Sequence, residues 1–187
     1  MNFAQSRNIV RQLNISGLFL ICLALLLGGC QASKPKLSPE AKALEKQLLG
    51  DLKTLTPQLT GPVAQEDWSA VTSILQTAYE NMSKEAKSVP ELIVVLDRYG
   101  ITQARFPSLE KGRFDFSNYA QAKKVFNEKT RVQAALYFKG TKIFVVLAPI
   151  LQNNNLVGGV ALAYPADALE KQWHVSEKEF MSLDLNQ

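Results

Sequence analysis

Apolar residues recur at helical spacing along the chain after residue 38. Ser38-Pro39-Glu40 is typical of a helix start, with an N-cap hydroxyl, a proline at the first helical position and an acid in the first turn. Leucines follow at steps of three and four, which places them on one face of a helix: Leu44, Leu48, Leu52, Leu55 and Leu59. We expect Pro57 and Gly61-Pro62 to end or kink this helix. The leucines indicate either a core face or the seam of a homodimer.

A second stripe at the same spacing, from Trp68 to Met82, predicts a second helix that stops before Pro90. The pattern then changes to that of strands, in short runs rich in apolar and β-branched residues. The five predicted strands cover residues 92–96, 101–106, 131–138, 142–151 and 156–164. Lys139-Gly140 and Asn153-Asn154-Asn155 join the last three strands, which must therefore be antiparallel.

Two further helices complete the pattern, a short one carrying Tyr119 to Phe126 and a last one from residue 166 to about 173. Ser176 to Glu179 reads as a capping box for one final turn. The element order predicts an α+β fold with an antiparallel sheet of about five strands, a long N-terminal helix and a second helix packed on it. We expect one domain over residues 38–175, followed by a C-terminal tail at 176–187.

The first thirty residues predict export and lipidation. Arg7 and Arg11 precede an apolar run of 13 residues, 15–27, which is too short for the roughly 30 Å of a bilayer core. The run closes with Leu27-Gly28-Gly29-Cys30, which resembles the lipobox of bacterial lipoproteins. The resemblance implies cleavage after residue 29, acylation of Cys30 and a tether at 30–37. A plain secretory signal or an uncleaved anchor is the alternative.

The predicted lipoprotein signal implies the periplasmic side of the cell envelope. Residue 31 is Gln where an Asp would favour inner-membrane retention, so the outer membrane is expected in a Gram-negative host. The resemblance also accounts for both cysteines, because Cys22 leaves with the signal and Cys30 carries lipid. The folded domain is therefore expected to hold neither a thiol nor a disulfide.

Charge and residue types argue against several functions. The chain has 21 basic and 17 acidic residues, and two of the basic ones lie in the signal, so nucleic acid is not an expected partner. One histidine, His174, and no mature thiol leave little for a metal site. No catalytic motif such as G-x-S-x-G or a P-loop is present. We expect no cofactor and no enzyme activity.

Three segments resemble extracytoplasmic Cache domains, which are PAS-like sensors. Leu96 to Ile101 is similar to their strand-turn-strand opening, and Phe116 to Tyr119 to the segment before their short helix. Val145 to Ile150, with the following Leu156 to Val160, resembles their closing hairpin. The resemblance implies a sensory module that binds a small organic anion or amino acid. Because no output domain or second membrane segment is present in this sequence, we expect a separate partner protein.

The resemblance also places a pocket between the sheet and the loop-plus-helix cover. Arg105, Tyr119, Arg131 and Tyr137 are the candidate ligand-binding residues, because guanidinium and phenol donors suit a buried carboxylate. Arg131 and Tyr137 are six residues apart, which puts them on one strand face. The alternatives are a solvated strand face for the arginines and core packing for the tyrosines. Asp97 is expected to tie its turn.

Two functions remain open from the sequence. In the first, the chain is a lipid-anchored periplasmic ligand-binding module that signals through its partner by population shift. In the second, it is a structural or assembly lipoprotein that uses the same fold as an interaction surface without ligand. The second predicts a filled pocket and an exposed apolar patch on the first helix.

Overall fold

A computed structural model describes residues 36–85, 87–108, 115–138 and 140–187. The predicted signal, the lipidation site at Cys30 and the tether up to residue 35 lie outside the described residues. Within the described part of the chain, no helix is both long and apolar enough to cross a bilayer.

The first helix, α1 (Pro39–Ala64), has 26 residues and begins where the sequence predicts. The Ser38 hydroxyl accepts a hydrogen bond from the Ala41 N–H at 3.2 Å. All five leucines of the stripe are 0–1% exposed, so the stripe is a core face and is not available as a dimer seam. Pro57 and Pro62 lie inside this helix, which runs to Ala64, so the expectation that one of them ends it is wrong. Pro57 has no N–H to donate to the carbonyl of Lys53. Both residues are exposed, so water can donate a hydrogen bond to that carbonyl instead.

The second helix, α2 (Trp68–Glu85), follows a tight turn and packs on α1 and on the sheet. Glu66 in this turn has a positive φ of 56°, which reverses the chain. The Asp67 carboxylate accepts from the Ala70 N–H at 3.0 Å and caps the new helix. Val71 and Leu75 are completely buried.

The five strands form one antiparallel sheet in the order β2-β1-β5-β4-β3. Their bounds lie within two residues of those predicted: β1 (Leu92–Asp97), β2 (Thr102–Phe106), β3 (Val132–Phe138), β4 (Thr141–Gln152) and β5 (Asn155–Pro165). Asn153 and Asn154 both take positive φ in the β4–β5 turn, a conformation that asparagine tolerates better than most residues.

Both faces of the sheet are covered. One face, which includes Val95, Val146 and Leu162, packs against α1 and α2 in the main core. The opposite face, which includes Val94 and Leu147, is covered by the short helix α3 (Ala120–Glu128).

The last twelve residues belong to the same core. After α4 (Ala166–Trp173), the predicted capping box of Ser176 and Glu179 is present and starts α5 (Glu177–Phe180). The separation of 176–187 as a tail is wrong, because three of its apolar side chains are buried: Phe180, Leu183 and Leu185. The Phe180 ring stacks on that of Phe144 with centroids 4.6 Å apart. The domain therefore extends to residue 187.

Candidate ligand-binding site

The sheet face under α3, where the sequence resemblance places the pocket, is apolar in its described part. Val125 of α3 is fully buried and belongs to one cluster with Leu96 and Leu147 of the sheet. The rings of Phe116 and Phe126 pack against the same cluster. The described side chains of this layer therefore form a second small core rather than a polar pocket.

Arg105 and Tyr119 lie on the α3 side of the sheet. Arg105 is paired with Val94 across the β1–β2 ladder and therefore shares the face of that residue. Tyr119 precedes the first residue of α3, is 52% exposed, and has its ring centroid 5.5 Å from that of Phe116. Their contact with a ligand remains a prediction.

Arg131 and Tyr137 share a face with each other, as their spacing predicts, but this is the face covered by α1 and α2. Tyr137 pairs with Lys142 and is 76% exposed. The Arg131 guanidinium donates to the Leu185 carbonyl oxygen at 2.9 Å, and the Arg131 N–H donates to the Asn186 side chain at 2.8 Å. Arg131 therefore fastens the C-terminal segment to β3.

The structure does not bring the four predicted residues together. Arg105 lies on β2 and Tyr137 on β3, which are the two edges of the sheet. Four strand spacings separate these edges, or about 19 Å, and the two side chains also point to opposite faces. These residues cannot surround one small carboxylate. A period-two pattern gives the face within one strand, but not the order of the strands.

Asp97 holds the β1–β2 turn, as the sequence analysis expects. Its Oδ1 accepts hydrogen bonds from the N–H groups of Tyr99 at 2.9 Å and Ile101 at 3.0 Å. Its Oδ2 accepts from the side-chain amide of Gln103 at 2.6 Å. Gly100 has a φ of 85°, and a Cβ there would lie 2.9 Å from the Phe126 ring. The turn is therefore fixed from both strands and from α3.

A cleft opens where this turn meets the turn between α1 and α2. Its volume is about 310 Å³, and we name it the turn cleft. Ten residues line it: Val63, Ala64, Glu66, Trp68, Asp97, Arg98, Tyr99, Gln103, Leu156 and Val157. Sequence patterns do not predict this site, because its residues come from separate segments and no spacing along the chain indicates that they meet. Two of these segments lie in the Cache-like stretches Leu96 to Ile101 and Leu156 to Val160, but neither resemblance points to a cleft here.

The turn cleft combines apolar, aromatic and charged walls. Trp68 stands at the start of α2 and Tyr99, which is 63% exposed, at the tip of the β1–β2 turn. The Arg98 guanidinium lies 4.9 Å from the centroid of the Tyr99 ring. Glu66 and Asp97 add two carboxylates. Such a mixture of hydrophobic surface and a few polar groups is typical of small-molecule sites.

A buried polar pair lies elsewhere, between α1 and the sheet. Burial raises the pKa of Asp51 to about 6, although a hydrogen bond from Gln47 partly opposes this effect. Burial and the nearby Asp51 charge both raise the pKa of Tyr164. Neither the Asp51 Oδ2 nor the Tyr164 hydroxyl has a hydrogen-bond partner among the described residues.

The described residues also hold no group of three or more His, Cys, Asp or Glu side chains that could bind a metal ion.

No protein-family model matches the sequence, and no curated protein sequence matches it. Solved structures do share its fold. The sensor domain of Escherichia coli DcuS superposes with a TM-score of 0.52 at 15% identity, over 74% of this chain and 100% of that domain. The ligand-binding domain of the Pseudomonas fluorescens chemoreceptor CtaA, in complex with L-serine, gives 0.56 at 17% identity.

The CtaA match covers 74% of this chain but only 60% of the chemoreceptor domain. At 15% and 17% identity, the similarity shows a shared fold only. The chain has the α+β fold of PAS-like Cache sensor domains, as its sequence resemblance predicts.

Proposed function

We propose that this chain is a sensory module of the cell envelope that binds a small organic ligand in the turn cleft. Acyl chains on Cys30 hold it to the membrane on the periplasmic side, at the outer membrane in a Gram-negative host. It signals through a separate partner protein. The sequence resemblance implies an organic anion or an amino acid as ligand. The observation that supports the proposal is the cleft itself, whose 310 Å³ falls within the range of about 300–1,000 Å³ for ligand sites.

The position of the turn cleft suggests how binding is reported. Its walls come from the α1–α2 turn on one side and from the β1–β2 turn and β5 on the other. A ligand that contacts both sides favours one placement of the helices on the sheet, which is a population shift. The helix α1 has 26 residues and is therefore about 39 Å long. A change in its placement at the cleft also moves its other end, at Ser38.

Ser38 lies eight residues after the predicted lipidated cysteine. An extended chain of that length spans at most about 28 Å, so the start of α1 stays close to the membrane surface. We expect the partner to contact this end of the molecule, where α1 begins.

The solved structures with this fold are consistent with such a role. DcuS contributes a sensor domain, and the CtaA domain holds L-serine.

Thermal unfolding of the full-length protein in detergent tests ligand binding. A panel of organic acids, amino acids and amines is screened for compounds that raise Tm, since a ligand that binds only the folded state stabilises it. We expect at least one to do so, and its effect to disappear in Tyr99→Ala. Tyr137→Ala is the matched control, because it removes another exposed tyrosine from a distant edge of the sheet. No shift with any compound would contradict the proposal.

One observation favours the assembly lipoprotein as a second candidate. The filled layer under α3 is what that function predicts. Its other prediction fails, because the leucines of α1 are buried rather than exposed. A Leu48→Glu variant would therefore test folding and not dimerisation. This second function is supported if the ligand panel is flat and a purified envelope protein binds wild type and Tyr99→Ala equally well.

A further inference from the structure

We infer that the turn cleft selects a small organic cation, an ammonium group on an apolar body, and not a carboxylate. This inference rests on the proposed function of the cleft and names its ligand class. The observations are the charges of the lining, the state of its hydrogen-bond donors and its aromatic walls.

The lining has more negative than positive charge. Glu66 and Asp97 carry formal negative charges, and Arg98 is the one cation among the ten lining residues. The guanidinium of Arg98 already lies over the ring of Tyr99, on the cleft's own wall. The cleft therefore has a formal charge of −1, which attracts a cation and repels an anion.

Several donors beside the cleft are already engaged by Asp97. A buried carboxylate requires several N–H or O–H groups. The amide of Gln103 donates to Asp97 at 2.6 Å, and the N–H groups of Tyr99 and Ile101 donate to the same carboxylate. An anion would have to depend on Arg98, the Trp68 indole N–H and the Tyr99 hydroxyl.

Glu66, by contrast, is available to a ligand. Its backbone is fixed, because its N–H donates to the Val63 carbonyl at 3.2 Å and its own carbonyl accepts from the Trp68 N–H at 3.0 Å. Its side chain is exposed, and no hydrogen bond or ion pair engages its carboxylate within the described part of the chain. A carboxylate on a rigid turn at the cleft is a suitable partner for an ammonium group.

The aromatic walls support the same class. Trp68 and Tyr99 both line the cleft, and the faces of such rings attract cations. The Arg98 guanidinium lies 4.9 Å from the centroid of the Tyr99 ring, which is within the range of a cation–π contact. Val63 and Val157 supply apolar surface for the body of the ligand. A bare inorganic cation has no apolar body and would leave these apolar and aromatic walls without a contact.

Three matched probes test the ligand class by isothermal titration of the full-length protein at equal ionic strength. Choline is the cation, glycine betaine has the same trimethylammonium group with an added carboxylate, and succinate is the anion. We expect the affinity order choline, betaine, succinate. Glu66→Gln should weaken choline binding by about threefold to tenfold, and Tyr99→Ala by a similar factor. Glu128→Gln, an exposed glutamate on α3, is the control and should leave affinity unchanged.

Succinate or betaine binding more tightly than choline, with loss of that binding in Arg98→Ala, would overturn the cation assignment and leave the proposed function intact. Failure of all three probes to bind would also overturn the assignment. The proposed function is contradicted only if, in addition, no compound of the wider panel raises Tm.

Discussion

The side-chain amide of Gln103 donates a hydrogen bond to the Asp97 carboxylate at 2.6 Å, and this contact joins β2 to the turn that precedes it. The same carboxylate also accepts two backbone N–H groups. One side chain thus fixes the turn that forms a wall of the turn cleft. Its removal should affect both stability and ligand binding.

We expect Asp97→Ala to lower the free energy of unfolding by about 2 kcal/mol, because three hydrogen bonds to a charged acceptor are lost. Urea unfolding measures the change. Arg98→Ala is the neighbouring control, and its effect should stay within about 0.5 kcal/mol, since this side chain is exposed. Equal effects of the two substitutions would contradict a structural role for Asp97.

Gly158 marks a close approach between β5 and its neighbours. A Cβ atom at this position would lie 2.5 Å from the Leu96 carbonyl oxygen and 2.9 Å from a methyl group of Val63. Gly158→Ala should therefore destabilise the protein by about 1–3 kcal/mol. Gly50→Ala is the matched control. Gly50 is exposed within α1, has open space around it, and should gain about 0.5–1 kcal/mol on substitution. Similar losses at both positions would disprove the packing argument.

Asp51 should make stability depend on pH. Burial raises its pKa in the folded protein from 3.8 to about 6, so between these values the folded state binds more protons than the unfolded state. The contribution of Asp51 to the free energy of unfolding therefore falls as pH rises from about 4 to 6, and stays low above that range.

An Asp51→Asn variant isolates this effect from the other carboxylates. The variant should gain stability relative to wild type as pH is raised from 4 to 7, measured by urea unfolding at each pH. The test is the direction in which the stability difference between variant and wild type changes with pH. The buried amide itself changes the free energy of unfolding by the same amount at each pH, so it does not affect that direction. A difference between variant and wild type that does not vary with pH would show that Asp51 titrates normally.

The sequence predicts that Arg131 contacts the ligand, but in the structure Arg131 is hydrogen-bonded to the C-terminal segment. We expect Arg131→Ala to lower the free energy of unfolding by about 1–3 kcal/mol, since the buried carbonyl of Leu185 loses a charged donor. Hydrogen exchange should become faster at Leu183 and Leu185. Ligand affinity should not change. A loss of ligand affinity in Arg131→Ala, with unchanged hydrogen exchange at Leu183 and Leu185, would show instead that Arg131 contacts the ligand.

Local patterns predicted most of the elements. The spacing from Leu44 to Leu59 identified the buried face of α1, and the asparagines at 153–155 identified the β4–β5 turn, because both signals come from neighbouring residues. The effect of Pro57 was not predictable in this way, since the cost of a proline depends on whether water can reach the carbonyl of Lys53. That is a property of the fold and not of the local sequence.

Features that join distant segments were not predictable in this way. The turn cleft brings Glu66 beside Asp97 through the packing of two turns, and no spacing in the sequence encodes that meeting. The burial of Leu183 and Leu185 likewise depends on the C-terminal segment returning to β3. Strand order, which separates Arg105 from Tyr137, has the same origin.

Amide NMR of the isotopically labelled protein tests most directly whether ligand binds in the turn cleft. Titration with the ligand that gives the largest Tm shift should move the resonances of Glu66, Trp68 and Tyr99 and leave those of Val125 and Phe126 in place. Shifts centred on Val125, Phe126 and Arg105 instead would place the ligand between the sheet and α3, and would contradict the account.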